Sequence, residues 1–210
     1  MDNALTLQQT VAADMPARAT LAARWISDLF SPAALAVPCL LLGVYTCEAE
    51  GAYWYALWYF LIAIPIPVAY VLWLLKSGRV TDFHLPNRRD RTVPFVIAIV
   101  CALGAVVVLY LIGAPASFLA PVITALTQTM LLFLITLAWQ ISIHTSTTAG
   151  LVTFAALAIG GSAALAALLV PLVAWARLHL GRHTLAQTVA GAALGACTFG
   201  ALFALRGIVW

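Results

Sequence analysis

The chain has 210 residues, of which 64% are hydrophobic and only 8% are charged, and its formal net charge is +3. A soluble domain is about one quarter charged, so this composition excludes a soluble protein and indicates an integral membrane protein built as one helical bundle. We expect membrane lipids as partners and no nucleic acid, and the sequence does not predict the oligomeric state.

The stretch before the first long apolar tract predicts a helix that lies on the membrane surface. Between residues 19 and 30 the apolar side chains Leu21, Trp25 and Leu29 recur every four positions. This spacing is typical of an interfacial amphipathic helix, which the following proline ends. We therefore divide the chain into an N-terminal segment, residues 1–32, and a transmembrane domain, residues 33–210. Residues 1–20 lack a signal-peptide pattern, and residues 1–16 are expected to form a polar terminus.

Long apolar tracts predict the spans that follow, since crossing roughly 30 Å of hydrocarbon takes about 20 apolar residues. The candidate tracts lie at about 33–47, 52–75, 94–113, 118–139 and 184–207. Pro65 and Pro67 are expected to bend the second tract near its middle, because proline removes a helical hydrogen bond. The sequence thus predicts an all-α, polytopic bundle of about six to seven spans.

The tract from Thr145 to Trp175 allows two interpretations. As one helix it would extend about 46 Å, far beyond the hydrocarbon core. As a hairpin it would turn at Gly160-Gly161-Ser162, whose residues favour a break. The hairpin places His144 and His183 on the same side of the membrane, whereas the single helix places them on opposite sides. We adopt the hairpin.

Three polar islands interrupt the apolar tracts, and we name them by residue range: the 76–91 island, the 139–148 island and the 177–191 island. The first holds five of the ten lysines and arginines. Each alone is typical of a basic or capping loop at the lipid headgroups. However, ionisable groups beside membrane-embedded residues usually mark a site. All four histidines lie in these islands: His84, His144, His179 and His183.

If the hairpins form, all three islands open on one face of the bundle. That face gathers several arginines, a serine and at least two histidines, with Asp82 and Asp90 as its acids. Guanidinium forks suit phosphate oxygens, and imidazoles supply a nucleophile and a proton donor. The chain has no H-E-x-x-H motif, no acidic cluster suited to magnesium and no Walker loop. These observations predict phosphoryl chemistry on an amphiphile, with no metal and no cofactor.

The islands resemble the motifs of the type 2 phosphatidic acid phosphatase superfamily, which also includes vanadium haloperoxidases. That family's third motif is S-R, five residues, H, three residues, D. Here Arg177, His183 and Gln187 have this spacing. The family's second motif, P-S-G-H, is similar to the four residues that contain Ser142 and His144. About 33 residues separate these two motifs, as is typical of the family, and this interval also favours the hairpin.

The family's first motif is K, six residues, R-P, and the 76–91 island resembles it more loosely. His84 and Arg91 have the spacing, with histidine in place of lysine, and a proline follows late, at Pro94. The resemblance covers roughly residues 76–195. An additional apolar pair between the first two motifs departs from the commonest arrangement of the family.

The resemblance implies a phosphatase-like core and a two-step mechanism. His183 would attack phosphorus to form a phosphohistidine. His144 would protonate the leaving group and later activate water. The phosphoryl oxygens would be held, where charge builds up in the transition state, by Arg177, Arg91 and Ser142, with Arg88 or His84 in place of the lysine.

The main departure from the family is Gln187, which stands where the family has an aspartate. Residues 183 and 187 are one helical turn apart, so their side chains can meet. Glutamine can fix the histidine tautomer but brings no charge, which predicts a slower nucleophile or a charge supplied by Asp82 or Asp90. The alternative is a non-catalytic relative that binds lipid phosphates or acts as a membrane assembly partner. A transporter is less favoured, because the sequence has no inverted-repeat halves.

The leading hypothesis is a lipid phosphatase acting on a phosphatidate, a phosphatidylglycerophosphate or a polyprenyl phosphate. In the hairpin arrangement most basic residues lie on the side of the 76–91 island, opposite Glu48 and Glu50. The positive-inside rule then predicts a multi-pass protein of a prokaryotic plasma membrane with its site at the cytoplasmic face.

Overall fold

The structure is a computed structural model that describes residues 17–85 and 87–209, without the side chains of residue 203 and residues 205–209. The expectation for residues 1–16 lies outside the described residues. The described part is helical and contains no strand. Its α-helices are α1 Ala17–Leu29, α2 Pro32–Thr46, α3 Ala52–Ala63, α4 Pro65–Lys76, α5 Thr92–Leu111, α6 Ala116–Ala138, α7 Ile143–Ile159, α8 Leu169–His179 and α9 Leu185–Val209. Two 3₁₀ segments lie at Arg89–Arg91 and Gly160–Leu168.

Five helical segments in the described part are long and apolar enough to cross a membrane, or six if α1 and α2, which meet at a bend of 49°, form one span. The five are Ala52–Lys76, Arg89–Leu111, Ala116–Ala138, Ile143–His179 and Leu185–Leu202. They correspond to the predicted tracts at 52–75, 94–113, 118–139, 145–175 and 184–207, whereas the predicted span at 33–47 counts only together with α1. A multi-pass helical membrane protein is confirmed, with five to six candidate spans in place of the six to seven expected. The predicted bend is also present, because α3 ends at Ala63 and α4 begins at Pro65.

The segment Ile143–His179 is a hairpin, although by length and composition it counts as one span. Its two legs, α7 and α8, pack against each other. The backbone N–H of Ser142 donates to the carbonyl of Gln187 at 3.1 Å, so the start of α7 lies beside the chain that follows α8. The turn begins at Gly160, whose φ of 65° lies in the left-handed region that glycine adopts without a Cβ clash. The predicted turn at residues 160–162 is therefore confirmed, and it continues as 3₁₀ turns to Leu168.

The most extensive helix contact in the fold joins α7 to α9. A Cβ atom at Gly191 would lie 2.4 Å from the carbonyl oxygen of Ser142, and one at Gly195 would lie 2.0 Å from that of Ser146. Both glycines are needed because the two backbones touch, as small residues allow in membrane helices. This contact, which we call the glycine seam, fixes the N-terminal ends of α7 and α9 side by side. Those ends carry the 139–148 and 177–191 islands.

The other half of the bundle is more open. Helices α2 to α7 surround a cavity of about 350 Å³ whose walls are almost entirely apolar. It extends from the 76–91 island to Gly43 and Phe118, near the opposite end of the bundle. Helix α1 packs on α8, next to the polar end. Its apolar residues Leu21, Trp25 and Leu29 are exposed, as expected for a lipid-facing surface.

Candidate functional site

The three polar islands meet at one end of the bundle, as the hairpin interpretation predicts. Three arginines from different segments form the positively charged part of this cluster. Arg177, on α8, is 1% exposed, and Arg91, just before α5, is 4% exposed. Arg182, in the loop before α9, forms an ion pair with Asp82. Burial of so many guanidinium groups is costly unless something of opposite charge joins them, and membrane-embedded arginines usually mark a site.

His183 lies at the centre of the 177–191 island and is 1% exposed. Its Nδ1 is 3.2 Å from Oε1 of Gln187, so the predicted one-turn contact between these side chains is present. The same Oε1 accepts the backbone N–H of Thr184 at 3.0 Å, and the Thr184 hydroxyl accepts the N–H of Gln187 at 3.3 Å. This reciprocal pair is a capping box at the start of α9. Gln187 therefore both begins the helix and orients the imidazole.

Ser142 is fully buried and caps α7. Its hydroxyl accepts the backbone N–H of Thr145 at 3.4 Å. The Thr145 hydroxyl in turn donates to the carbonyl of Thr188 at 3.0 Å, which connects the starts of α7 and α9. The α7 N-terminus thus lies within the arginine cluster, and its free N–H groups add partial positive charge there.

The rings of His144 and His84 lie next to each other in the cavity wall, tilted by 42°. Their ring centroids are 5.1 Å apart, and both line the cavity together with Arg91. Arg177 and His183 do not line it. His144 is 5% exposed, whereas the His84 side chain is 13% exposed and contacts Asp82, with 3.3 Å between Nδ1 and Oδ1. The phosphate-binding and catalytic residues expected from sequence are therefore brought together, with one exception.

The exception is Arg88. Its Nη1 donates to the carbonyl of Ala138 at 2.6 Å, at the C-terminal end of α6. The Arg88 side chain is exposed and lines a separate groove of about 110 Å³ with Arg89 and Thr136, away from the histidines. It caps a helix end, where a cation interacts favourably with the terminal carbonyls.

The cluster contains an unusual number of buried nitrogens without a hydrogen-bond partner. Six buried side-chain polar atoms are unpartnered in the described part of the chain, and five of them belong to this cluster. The five are His84 Nε2, Arg91 Nη1, His144 Nε2, Arg177 Nε and Arg182 Nη1. Buried polar groups are nearly always hydrogen-bonded, so this concentration of open donors indicates a place for an acceptor-rich, anionic group.

Helix α1 contributes residues that the sequence interpretation missed. The Ser27 hydroxyl, 1% exposed, accepts from Nη1 of Arg177 at 2.6 Å. Asp28 lies 3.5 Å from Nε2 of His84. Thr20 contacts His179 at 3.2 Å. Ser27 lies seven positions after Thr20, which places these two polar residues on one side of the helix, opposite the apolar face. This spacing is the sequence signal that could have identified them.

Burial and neighbouring charges shift the pKa values of His183 and Asp82, two loop residues that lie outside the membrane-spanning segments. Burial, followed by the charges of Arg177 and Arg91, lowers the pKa of His183 from 6.5 to about 3. Burial raises the pKa of Asp82, but hydrogen bonds from Arg182 and from the His84 backbone outweigh it and bring the pKa to about 2. At neutral pH the site therefore presents a neutral imidazole beside cationic arginines and one carboxylate.

Among the described residues, no group of three or more His, Cys, Asp or Glu side chains is arranged to hold a metal ion. Comparisons of this chain with protein-family models, with curated proteins and with solved structures give no match.

Proposed function

We propose that this protein is an integral membrane phosphatase that hydrolyses a phosphomonoester or diphosphate of a lipid through a phosphohistidine intermediate, without a metal ion. The observation that carries the proposal is the group of five unpartnered nitrogens from three arginines and two histidines. Three of these residues, His84, Arg91 and His144, also line an apolar cavity. A phosphoryl group has several acceptor oxygens and a negative charge, and it would satisfy the arginine donors together and any imidazole nitrogen that carries a proton.

The arginines would supply the electrostatic part of catalysis. Phosphoryl transfer spreads negative charge over the equatorial oxygens of the transition state, so fixed guanidinium groups there lower the barrier. The Nε of Arg91 is already held by the carbonyl of Leu85 at 2.7 Å, which leaves its Nη1 oriented in advance. The N-terminus of α7, capped by Ser142, adds further backbone N–H groups.

His183 would be the nucleophile. Its contact with Gln187 fixes the ring and leaves Nε2 for attack on phosphorus. The neutral form that the lowered pKa favours at pH 7 is the nucleophilic one. A neighbouring imidazole would give the leaving alkoxide its proton. Arg177, Arg182 and the partial charge of the α7 N-terminus would neutralise the phosphate as the bond to His183 forms.

The cavity supports an amphiphile as the substrate. Its volume of about 350 Å³ lies within the usual range of small-molecule sites, about 300–1,000 Å³. Its apolar walls suit a hydrocarbon chain, and its polar mouth contains His84, Arg91 and His144. We assign the substrate to the phosphatidate, phosphatidylglycerophosphate or polyprenyl phosphate class. By the positive-inside rule we place the site at the cytoplasmic face of a prokaryotic plasma membrane.

The test is phosphate release by the purified protein in detergent micelles with a chelator present, using one lipid from each of these classes. Wild type should release phosphate, and His183→Ala should abolish release. His179→Ala is the matched control, since His179 lies in the same island but contacts Thr20 and the Trp175 ring instead of the other histidines. Release that persists in His183→Ala, or no release from any lipid of the panel, would contradict the proposal.

A second candidate is a protein that binds lipid phosphates without turnover. Two observations favour it: Gln187 brings no charge to His183, and the Ser27 hydroxyl already occupies Nη1 of Arg177. It predicts saturable binding of a lipid phosphate that Arg177→Ala removes, together with no phosphate release by wild type. The assay above therefore decides between the two candidates.

A further inference from the structure

His84 differs from the other three histidines in having carboxylate neighbours. Among the residues that the structure describes, it is the one histidine with a carboxylate oxygen within 4.0 Å of its ring. Asp82 lies 3.3 Å from Nδ1, and Asp28, on exposed α1, lies 3.5 Å from Nε2. His183 instead faces the uncharged amide of Gln187. His144 faces no carboxylate in the described part of the chain.

The loop holds the His84 ring in a defined orientation. The same Asp82 oxygen that faces Nδ1 also accepts the backbone N–H of His84 at 2.8 Å. Leu85, the next residue, has a φ of 48°, a left-handed conformation that costs a non-glycine residue roughly 1–2 kcal/mol. In this conformation its carbonyl accepts from Arg91 and its side chain is buried. Such strain persists where the surroundings impose it, often at functional sites.

This orientation determines which nitrogen of His84 is available. With Nδ1–H directed at the Asp82 carboxylate, Nε2 is the basic nitrogen. It has no hydrogen-bond partner, and the exposed Asp28 carboxylate lies 3.5 Å from it. The His84 ring also lines the apolar cavity. A leaving oxygen or a water molecule at the cavity mouth would therefore meet Nε2.

His144 is less suited to carry a proton. It is buried between His84, His183 and two arginines, and no carboxylate of the described part of the chain contacts it. Protonation of this ring would add an unpaired buried charge to a cationic cluster, which is strongly unfavourable. Protonation of His84 would instead form an ion pair with Asp82.

We propose that the Asp82–His84 pair, rather than His144, is the general acid and base of the reaction; the proposal rests on the phosphatase function above. In the first step Nε2 of His183 bonds to phosphorus, the ester P–O bond breaks, and the leaving oxygen takes the proton from Nε2 of cationic His84. In the second step a water oxygen bonds to phosphorus and gives its proton to Nε2 of His84. The P–N bond breaks and its electron pair returns to His183. Inorganic phosphate leaves, and His84 is protonated again.

The charges around His84 fit both steps. Burial, followed by the charge of Arg177, lowers the pKa of His84, and Asp82 opposes this shift. The ring is therefore neutral when the site is empty and can accept the proton of water. A bound phosphate dianion adds negative charge beside it and favours the cationic form that the first step needs. The other ionisable groups that face this ring are Asp28 on α1, His144 on α7, Arg177 on α8 and Arg182 before α9.

The experiment compares two phosphate monoesters in the full-length protein in detergent micelles. Hexadecyl phosphate has a poor leaving group that needs a proton, whereas para-nitrophenyl phosphate has a good one. His84→Gln should lower kcat on the alkyl ester about a hundred- to ten-thousand-fold, the range of general acid–base catalysis. On the aryl ester the first step should persist, so that a burst of nitrophenol and trapped phosphohistidine appear.

Asp82→Asn should lower kcat in the same way and shift the pH–rate profile to lower pH, because the carboxylate supports the cationic ring.

Two control variants separate proton transfer from structure. Asp28→Asn removes the other nearby carboxylate, which is exposed, and should change kcat by no more than about threefold. Arg182→Gln breaks the ion pair of Asp82 but keeps the contact of Asp82 with His84. Because Arg182 lowers the pKa of His84, its removal should shift the pH–rate profile to higher pH, opposite to the shift expected for Asp82→Asn. A His84→Gln variant that keeps wild-type kcat and pH profile, while His144→Gln loses both, would overturn the proposal and leave the phosphatase function standing. An Arg182→Gln variant that matches Asp82→Asn would also overturn it. Absence of release by wild type would instead reject the phosphatase function itself.

Discussion

The glycine seam and the cavity half of the bundle are built in opposite ways. In the seam, α7 and α9 approach so closely that glycine is required at residues 191 and 195. In the other half, the helices from α2 to α7 enclose about 350 Å³ of empty, apolar space. Both halves are helical and similarly hydrophobic, so composition does not distinguish them. The two halves differ in the size of the side chains at the helix contacts, because small residues let membrane helices touch and bulky ones keep them apart.

This difference separates two tasks. The seam carries Ser142, His144, His183 and Gln187, whose relative positions must be held within a fraction of an ångström for catalysis. The cavity half supplies space for a chain whose exact position matters less. His84 and Arg91 lie at the boundary, on the loop that leads from α4 to α5. We expect substitutions in the seam to affect both stability and catalysis, whereas substitutions in the cavity should affect only the choice of lipid.

The largest effect is expected for Gly195→Val. A Cβ at this position would lie 2.0 Å from the backbone oxygen of Ser146 and 2.9 Å from the backbone nitrogen of Gly150, so the helices must separate. Overpacking of this kind should destabilise the protein by about 3 kcal/mol or more. Gly200→Val is the matched control, since Gly200 lies on the same helix with nothing within 4 Å of its Cβ position. Thermal unfolding in detergent micelles measures both, and a wild-type midpoint for Gly195→Val would contradict the seam.

Next in size is Arg91→Lys, at the boundary between the halves. A lysine side chain has a single nitrogen. It cannot match the fork of Arg91, in which Nε donates to the carbonyl of Leu85 while Nη1 is presented to the phosphate. We expect kcat/KM for lipid phosphate to fall about a hundredfold, as when one transition-state donor is lost. Arg88→Lys is the control, because Arg88 caps α6 outside the cluster and should change kcat/KM little. If the two variants lose equal activity, Arg88 belongs to the site, as the sequence suggested.

The sequence predicted the parts of this molecule that depend on local pattern. Apolar tracts of span length predicted the helices, Pro65 predicted the break in the second tract, and Gly160 predicted the hairpin turn. The hairpin in turn brought His144 and His183 to one end. Each of these depends on residues close together in the chain, where spacing and backbone preference are informative.

The parts that could not be predicted depend on contacts between distant segments. Ser27 meets Arg177 across 150 positions, and Asp82 meets Arg182 across 100. Arg88 is basic and close to a motif, which suggested a ligand, yet its side chain donates to the carbonyl of Ala138 at the end of α6. In the sequence, Asp82 and Asp90 were equal candidates for the negative charge that Gln187 does not bring to His183. The turn at residues 82–85 distinguishes them, because it directs Asp82 to His84, whereas Asp90 contacts exposed Asn87.

A smaller effect, on pH dependence, tests the electrostatics of the seam. The pKa of His183 is about 3 in the folded protein and about 6.5 in an unfolded chain. Between these values the unfolded chain binds a proton that the folded protein does not, so stability should fall as the pH drops from about 6.5 towards 3, by at most about 1.4 kcal/mol per pH unit. His183→Gln should flatten this slope between pH 6.5 and 4, above the range in which Asp82 titrates. Unfolding midpoints measured against pH check it, and an unchanged slope would mean that His183 is not held neutral.

The smallest effect is expected in the cavity, from Gly43→Leu. Gly43 lines the end of the cavity far from the arginines, where its Cβ position lies 3.4 Å from the Phe118 ring. A leucine there should shorten the space for a chain without touching the phosphate site. Each methylene group that no longer fits costs about 0.8 kcal/mol, or about fourfold in affinity. KM should therefore rise for hexadecyl phosphate and stay constant for octyl phosphate, with kcat unchanged. Gly104→Leu, at an open position on α5 that does not line the cavity, should alter neither. Equal changes for both chain lengths would show that the hydrocarbon chain lies elsewhere, and the division between a seam for chemistry and a cavity for the lipid would then be wrong.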